Sequence, residues 1–227
     1  MSRYLNITVI VEGKTELTFI EKILAPYLGN KNIFMTPTQV SKPGQKGGDV
    51  KFSRVKNDIG IHLKQRNDTY VSTFVDYYGI KEWPGLDKID NNYTPKQISE
   101  LLLYSAKEKV ISQFSEQQAK RRFIPYIAVH EFEALLFSDV EILSSKLNIS
   151  VKEVEKKIKK FKNPEEINKN PNTAPSKILK GLLQNGKFYK ISSGIAIAKK
   201  IGIERMRKKC FIFDSWLKDL VSIQQNH

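Results

Sequence analysis

The feature that most constrains the fold is a short apolar run, rich in β-branched residues, that passes directly into a helical pattern. Residues 5–11 read LNITVIV and stop at Glu12-Gly13, which predicts a strand of the kind buried on both faces in parallel sheets. In the next segment, TELTFIEKILAPYL, apolar residues recur at helical spacing behind Thr15, the expected N-cap. A buried strand that leads at once into a helix indicates an α/β fold.

The same alternation of strand and helix continues to residue 138. Further strands are predicted in NIFMTPTQV, at 68–76 and in RFIPYIAVHE, and helices at 50–65, from Pro95 to about residue 118, and in FEALLFSD. This order predicts an α/β domain over residues 1–139, with a mostly parallel central sheet flanked by helices.

After residue 139 the strand signal fades and short helices take over. Ser150 and Glu153 have the spacing of a capping box at the start of one of them. We therefore expect residues 140–227 to form a basic helical subdomain or a helical cap that packs on the sheet.

The positive charge of the chain is concentrated in this helical region. The net charge is +14, and residues 146–209 alone hold 18 Lys or Arg against 5 acids. A cationic region of this kind predicts a polyanionic partner. The chain has no apolar run near the roughly 18 residues of a membrane span and no signal-peptide pattern, so we expect a cytoplasmic protein without membrane association. Its single cysteine excludes a disulfide framework and a zinc–thiolate cluster.

Acidic residues follow three of the predicted strands. Glu12 ends the first strand, Asp76 ends another and Glu131 follows RFIPYIAVH, while Glu16 and Glu133 lie a few residues further on. Because the carboxyl ends of parallel strands meet at one edge of a sheet, we expect these carboxylates to converge. Mg²⁺ or Mn²⁺ would relieve their mutual repulsion. The alternative for each acid is a helix N-cap or a solvated charge.

Two local patterns indicate other sites but do not complete their motifs. Gly13-Lys14-Thr15 closes a P-loop pattern, yet Thr8 stands where that motif needs glycine. His130-Glu131 begins a zinc HExxH motif whose last position is Ala134. The Gly-rich, basic loop at residues 41–48 leaves open a third class, a nucleotide-processing phosphotransferase.

The segment VIVEGKTELTFI, with a later strand ending in Asp, resembles the Toprim domain. Toprim is the Mg²⁺-binding fold shared by topoisomerases, bacterial primases and the overcoming-lysogenization-defect nucleases, and the first motif of those nucleases is especially similar. The resemblance implies that Glu12 and Glu16 are metal ligands or the general base, with Asp76 as a further ligand. Lys14 lies beside them in sequence, where it could neutralise charge that develops in a transition state.

The chain departs from the Toprim pattern in the second motif. That motif is usually Asp-x-Asp, and here Tyr78 occupies the second acidic position. Either the metal site has fewer ligands or another acid substitutes, and Glu131 and Glu133 are the candidates.

Nearly the whole chain is also similar to domain-of-unknown-function family 4276, which is regarded as Toprim-like. The segments that carry this similarity are VEGKTE, VDYYG followed by WPG, HEFEALLFSD, TAPSKIL and KKCFIFDSWLKDL. The resemblance implies a partner ATPase of the overcoming-lysogenization-defect or SMC-like type in phage defence, without assigning a reaction. Ile178 stands where a family pattern favours arginine after Ser176-Lys177, so one basic contact is missing.

These observations favour a Mg²⁺- or Mn²⁺-dependent nuclease that hydrolyses the phosphodiester bonds of DNA or RNA. In this hypothesis Glu12 is the base, cationic side chains hold the phosphate backbone, and aromatic side chains stack on bases. The expected nucleic-acid-binding residues are Lys177, Lys190, Arg205, Arg207, Lys208, Tyr77, Tyr78 and Trp83. The alternative is a catalytically degenerate Toprim-like subunit that binds nucleic acid or regulates an ATPase, a reading that Tyr78 favours.

Overall fold

The fold is an open parallel β-sheet with helices on both faces, as the sequence predicts. The computed structural model describes residues 4–42, 45–46, 50–78, 80–167, 174–183 and 187–226. The strands are β1 Leu5–Val11, β2 Ile33–Gln39, β3 Ser41–Lys42, β4 Gln45–Lys46, β5 Thr69–Asp76, β6 Phe123–Ile124 and β7 Ile127–Ala128. In the main sheet the order is β2-β1-β5-β6, β7 also pairs with β5, and all of these pairs are parallel. The short strands β3 and β4 form a separate antiparallel pair.

Helices connect the strands and then make up the C-terminal part of the chain. The α-helices are α1 Lys14–Phe19, α2 Ala25–Gly29, α3 Phe52–Gln65, α4 Pro95–Gln113, α5 Ala119–Arg122, α6 Val140–Leu147, α7 Val151–Ile158, α8 Pro175–Leu182, α9 Ile195–Ile201, α10 Ile203–Lys209 and α11 Phe211–Gln225. Single π-helical turns at Ile20–Leu24 and Lys190–Gly194 lead into α2 and α9. Short 3₁₀ helices lie at Leu86–Lys88, Phe132–Ser138 and Pro164–Glu166.

Two boundaries in the α/β part differ from the prediction for local reasons. The N-cap of α1 is Gly13, with extended backbone, so the helix begins one residue before the expected cap, Thr15. The predicted strand in RFIPYIAVHE is instead the two short strands β6 and β7. Pro125 lies between them and has no N–H to contribute to a continuous ladder.

The capping box also differs from the prediction. Ser150 is the N-cap of α7, but its side chain makes no capping hydrogen bond. A complete capping box is found at α4 instead, where Thr94 accepts from the backbone N–H of Gln97 and the Gln97 side chain accepts from the backbone N–H of Thr94. This box fixes where α4 starts after the long loop that follows β5.

The two faces of the sheet are covered by separate hydrophobic cores. On one face, side chains such as Val9 and Phe74 pack with α1 and the C-terminal helices. On the other face, Ile10, Val71 and Val75 pack with α3 and α4. The strict alternation of side chains along a strand explains why β1 and β5 contribute to both cores.

The C-terminal helices share the first of these cores. Trp216 of α11 stacks on Tyr126, with 4.6 Å between ring centroids, and its indole N–H donates to the Ser72 hydroxyl in β5. Phe213 of α11 lies against Phe19 of α1. The tail is therefore the helical cap packed on the sheet, one of the two arrangements that the sequence left open.

A buried arginine joins three elements at the opposite, amino-terminal end of β5. Arg122 is 1% exposed, and its guanidinium donates to the backbone carbonyls of Leu63, Thr69, Gln117 and Arg66. These contacts connect the end of α3, the start of β5 and the turn after α4. Because each carbonyl would otherwise be poorly satisfied, the guanidinium stabilises this end of the sheet.

Candidate active site

The carboxyl ends of β1, β5 and β7 lie side by side. Val11 of β1 is level with Phe74 of β5, and Asp76 is level with Ala128 of β7. Glu12, Asp76 and the segment that begins at residue 129 therefore leave the sheet at the same edge. This is the position where ligands bind in open α/β sheets.

Asp76 interacts with three of the other predicted acids. Its pKa is raised well above the ordinary range, first by burial and then by the nearby carboxylates of Glu16, Glu12 and Glu133. Its Oδ1 atom is buried and has no hydrogen-bond partner in the part of the chain that the structure describes. The convergence expected from the strand ends is thus observed for these four side chains, which we call the carboxylate cluster.

Glu12 and Glu16 enter the carboxylate cluster from the end of β1 and the first turn of α1. Burial and the neighbouring Glu16 raise the pKa of Glu12 from 4.5 to about 7, although the backbone N–H of Asp76 donates to it and opposes the rise. Burial also raises the pKa of Glu16, against the lowering effect of backbone N–H groups at Glu16 and Gly13. A Cβ added at Gly13 would lie 3.2 Å from Glu16 Oε2, so the glycine leaves room for this carboxylate.

Glu133 and Glu131 approach from the 3₁₀ helix that follows β7. Glu133 is fully buried; its Oε1 lies 2.9 Å from Lys190 Nζ, and its Oε2 has no partner among the described residues. Burial raises its pKa, and Lys190 lowers it. Glu131 has a different setting, because its two oxygens accept from the backbone N–H and the hydroxyl of Ser176, each at 2.9 Å. Glu131 therefore fixes the start of α8 beside the carboxylate cluster.

Lys190 supplies a positive charge inside this group of acids. Its Nζ lies 2.9 Å from Glu133 Oε1 and 3.9 Å from Glu131 Oε1. Burial lowers the pKa of Lys190, but the carboxylates of Glu133, Glu131 and Asp76 outweigh it and raise the pKa above 10.5. The sequence analysis predicts that Lys190 binds nucleic acid, whereas in the structure its ammonium lies among the carboxylates.

The donor atoms suit a hard divalent cation, although they are not gathered around one point. Carboxylate oxygens are the ligands that Mg²⁺ and Mn²⁺ prefer, and oxygens of Asp76 and Glu133 are buried without partners. Within the described ranges, however, no three His, Cys, Asp or Glu side chains already stand as a set of metal ligands. The residues thus fit a metal by their chemistry, while Lys190 provides the local counter-charge.

His130 is a buried group at this edge, for which the sequence offered an incomplete zinc motif or a hydrogen-bonding role at the end of a strand. It is 4% exposed, and neither ring nitrogen has a hydrogen-bond partner among the residues described. Burial lowers its pKa from 6.5 to about 3. The imidazole is therefore neutral at physiological pH, and it adds no positive charge to the carboxylate cluster.

Two of the arginines predicted to bind nucleic acid are held in ion pairs. Arg205 pairs with Asp139, which also caps α6. Arg207 donates to Asp214 at 2.6 Å and to the Tyr27 hydroxyl at 2.8 Å. The Arg207 guanidinium joins α11 to Tyr27 of α2 and is 19% exposed, whereas the Arg205 side chain is 57% exposed. The phosphate-binding role of both arginines stays a prediction. Two other cations named for that surface, Lys177 and Lys208, are exposed.

The aromatic residues after β5 divide into core and surface. Trp83 is 5% exposed, packs edge-on against Phe52 and donates its indole N–H to the carbonyl of Leu102. The prediction that Trp83 stacks on a base is wrong, because its ring belongs to the core. Tyr77 is half-buried and packs on the same core, whereas Tyr78 is 41% exposed.

A sizeable cavity lies away from the carboxylate cluster. It has a volume of about 490 Å³ between α4 and α11, and its lining includes Tyr126, Glu165 and Trp216. Glu165 accepts from the backbone N–H groups of Ile212 and Phe213 at the start of α11. None of the predicted metal ligands lines this cavity, so its size does not identify it as the site.

The fold and the site together define an α/β protein with a buried carboxylate cluster at the carboxyl edge of a parallel sheet. Residues 11–221 match the family described as "Domain of unknown function (DUF4276)", and the chain belongs to that family. Neither the curated proteins nor the solved structures gave a match. No helix in the described parts of the chain is both long and apolar enough to cross a membrane.

Proposed function

We propose that this protein is a Mg²⁺- or Mn²⁺-dependent nuclease of the Toprim type. The observation that carries the proposal is the convergence of Glu12, Glu16, Asp76 and Glu133 at one sheet edge, with raised pKa values. Carboxyl groups that are buried together in this way are costly to the fold, and such groups concentrate at functional sites. A divalent cation would be attracted by the combined charge of the four carboxylates.

The side chains of the carboxylate cluster suit hydrolysis of a phosphodiester. A bound cation would polarise the phosphate and acidify an attacking water. Asp76 and Glu133, with their unpartnered oxygens, and Glu16 would hold the cation. Burial and Glu16 raise the pKa of Glu12 to about 7, which suits a general base at neutral pH, because such a group accepts a proton readily and about half of it is still ionised. Lys14, exposed at the start of α1, would face the charged substrate.

The substrate and partners in this proposal follow from the charge and from the family resemblance. Exposed cations such as Lys177 and Lys208 support binding of the DNA or RNA backbone, and exposed Tyr78 supports stacking on a base. The link of family 4276 with ATPases of the overcoming-lysogenization-defect or SMC-like type supports an ATPase partner and a role in phage defence, for which the protein would work in the cytoplasm.

The proposal is tested by incubating the pure protein with DNA and RNA in Mg²⁺ or Mn²⁺, alone and with an ATPase of either type. Glu12→Gln and Asp76→Asn are compared with Asp87→Asn, which changes an exposed acid outside the carboxylate cluster. We expect cleavage by the wild type and by the control, and loss of cleavage in both cluster variants. Cleavage that persists in the two cluster variants would refute the assignment of the site.

The second candidate is a catalytically degenerate subunit that binds nucleic acid or regulates an ATPase. It is favoured by Tyr78 at the second acidic position and by Lys190, whose ammonium already neutralises Glu133. In that case no cleavage occurs under any pairing, and Glu12→Gln binds nucleic acid as the wild type does. The third candidate, a nucleotide phosphotransferase, depends on residues 41–48, of which 43–44 and 47–48 lie outside the described residues.

A further inference from the structure

We propose that Lys190 is a built-in counter-cation of the carboxylate cluster and that a divalent metal binds there only by displacing its ammonium group. The inference deepens the proposed function, since both use the same carboxylates, but it concerns metal affinity rather than cleavage. It assigns Lys190 a role that neither the sequence pattern nor the family match indicates.

The first step of the argument is the position of the ammonium. Nζ lies 2.9 Å from the fully buried Glu133 and 3.9 Å from Glu131, and Asp76 is also close enough to raise the pKa of the lysine. Glu12 and Glu16 are near enough for Lys190 to lower their pKa values as well. The ammonium therefore contacts two acids that follow β7 and acts electrostatically on three others, at the ends of β1 and β5 and in α1.

The second step is that one ammonium does not satisfy these acids. Lys190 carries a single charge, and the Oδ1 of Asp76 and the Oε2 of Glu133 remain buried without a partner in the described chain. A divalent cation brings twice the charge and binds several oxygens at once. With both cations present, the metal and the ammonium would repel each other over the few ångströms that now separate Nζ from Glu133. Metal binding therefore favours a state in which Nζ has left.

The third step is that the ammonium can leave without moving the fold. The Lys190 side chain is 47% exposed, so a change of rotamer carries Nζ into solvent. Its backbone begins the π-helical turn that leads into α9, where Ile197 and Ala198 are buried in the core. The backbone thus stays anchored while the side chain exchanges with the metal.

The test measures Mn²⁺ binding by calorimetry without nucleic acid. Lys190→Met removes the charge, Lys190→Arg keeps it, and Lys200→Met removes an exposed lysine of α9 as the matched control. We expect Lys190→Met to bind Mn²⁺ at least about tenfold more tightly than the wild type, because a like charge has been removed from the site. Lys190→Arg and Lys200→Met should stay within about twofold of the wild type. Equal or weaker binding by Lys190→Met overturns the inference, as does an absence of Mn²⁺ binding in every form.

A second measurement uses the wild-type protein and needs no variant to fold. An amine-acylating reagent is applied with and without Mn²⁺, and the modification of each lysine is quantified by mass spectrometry. Release of Nζ should raise the modification of Lys190 relative to Lys200, and an unchanged or lower value contradicts displacement. If Lys190→Met binds Mn²⁺ more tightly but the wild type cleaves no nucleic acid, the nuclease proposal alone is refuted. If the wild type cleaves nucleic acid but Lys190→Met binds Mn²⁺ with unchanged affinity, this inference alone is refuted.

Discussion

Replacing the carboxyl group of Glu12 is expected to stabilise the metal-free protein. The pKa of Glu12 rises from 4.5 to about 7 on folding, chiefly through burial and then through Glu16. Between these two values the folded state binds more protons than the unfolded state, so the free energy of unfolding falls as the pH rises. The full loss of folding stability is present above pH 7, and it disappears near pH 4.5, the pKa of Glu12 in the unfolded chain. Glu12→Gln removes the charge and keeps an oxygen that can accept from the backbone N–H of Asp76.

The magnitude follows from the two pKa values. The difference between 4.5 and about 7 corresponds to about 3 kcal/mol of lost stability once the group is ionised. For a chain of this length, that free energy corresponds to a shift of roughly 6 to 12 °C in melting temperature. The change should therefore be visible in an ordinary thermal scan, although the same substitution is expected to abolish cleavage. Opposite effects on stability and activity are typical of groups kept for function.

The assay is thermal unfolding followed by circular dichroism in a metal chelator, at about pH 5 and about pH 8, the two sides of the Glu12 transition. Glu116→Gln, an exposed acid on another surface, is the control and should change little at either pH. Excess Mg²⁺ should reduce the difference in melting temperature between the wild type and Glu12→Gln, because a bound cation also relieves the repulsion between Glu12 and the neighbouring carboxylates. The reasoning fails if Glu12→Gln is no more stable than the wild type at the higher pH. It also fails if the substitution raises the melting temperature equally at both pH values.

Other substitutions test the remaining features of the structure. Arg122→Met leaves several carbonyls unpaired and is expected to lower the free energy of unfolding by about 3 kcal/mol or more, measured by denaturant titration. Arg121→Met, its exposed neighbour, should change it by less than about 0.5 kcal/mol, and equal effects would contradict the role assigned to Arg122. Gly13→Ala should keep the fold, because the backbone there is extended. It should also weaken Mn²⁺ binding severalfold in calorimetry, since the new Cβ crowds Glu16, whereas unchanged affinity would remove Glu16 from the ligand set. Trp83→Phe should lower the free energy of unfolding by about 1 kcal/mol through the lost indole hydrogen bond, and a gel-shift assay should show unchanged nucleic-acid affinity. A drop in that affinity would show that Trp83 contributes to nucleic-acid binding.

The convergence of the acids was predictable because it depends only on local patterns and one rule of topology. A β-branched run that ends at Glu12, and another that ends at Asp76, each identify a strand and its carboxyl end. Parallel pairing then places both ends at one edge. Glu133 follows from the same reasoning, since it lies just beyond β7. For these three residues the sequence contains all the information that the inference needs.

The partners of the cationic side chains were not predictable in this way. Arg207 meets Tyr27 across 180 positions of sequence, and Lys190 meets Glu133 only because the C-terminal helices pack on the sheet. Composition reports how many charges a region carries, but not which acids they face. Trp83 was misassigned for a related reason, because a tryptophan in a long loop has the same local signature whether its ring packs inward or outward.

The distribution of charge gives a physical reason for the cap to pack on the sheet and not stand apart from it. The α/β part brings several carboxylates to one buried edge, where Glu16, Glu12 and Glu133 raise the pKa of Asp76. The described residues that pair with Glu131 and Glu133, Ser176 and Lys190, both belong to the C-terminal part. Without the cap these acids would lose their hydrogen-bond donors and their counter-charge. The basic tail therefore supplies one counter-charge to the site from within, and its exposed lysines are the groups that we propose bind a polyanion.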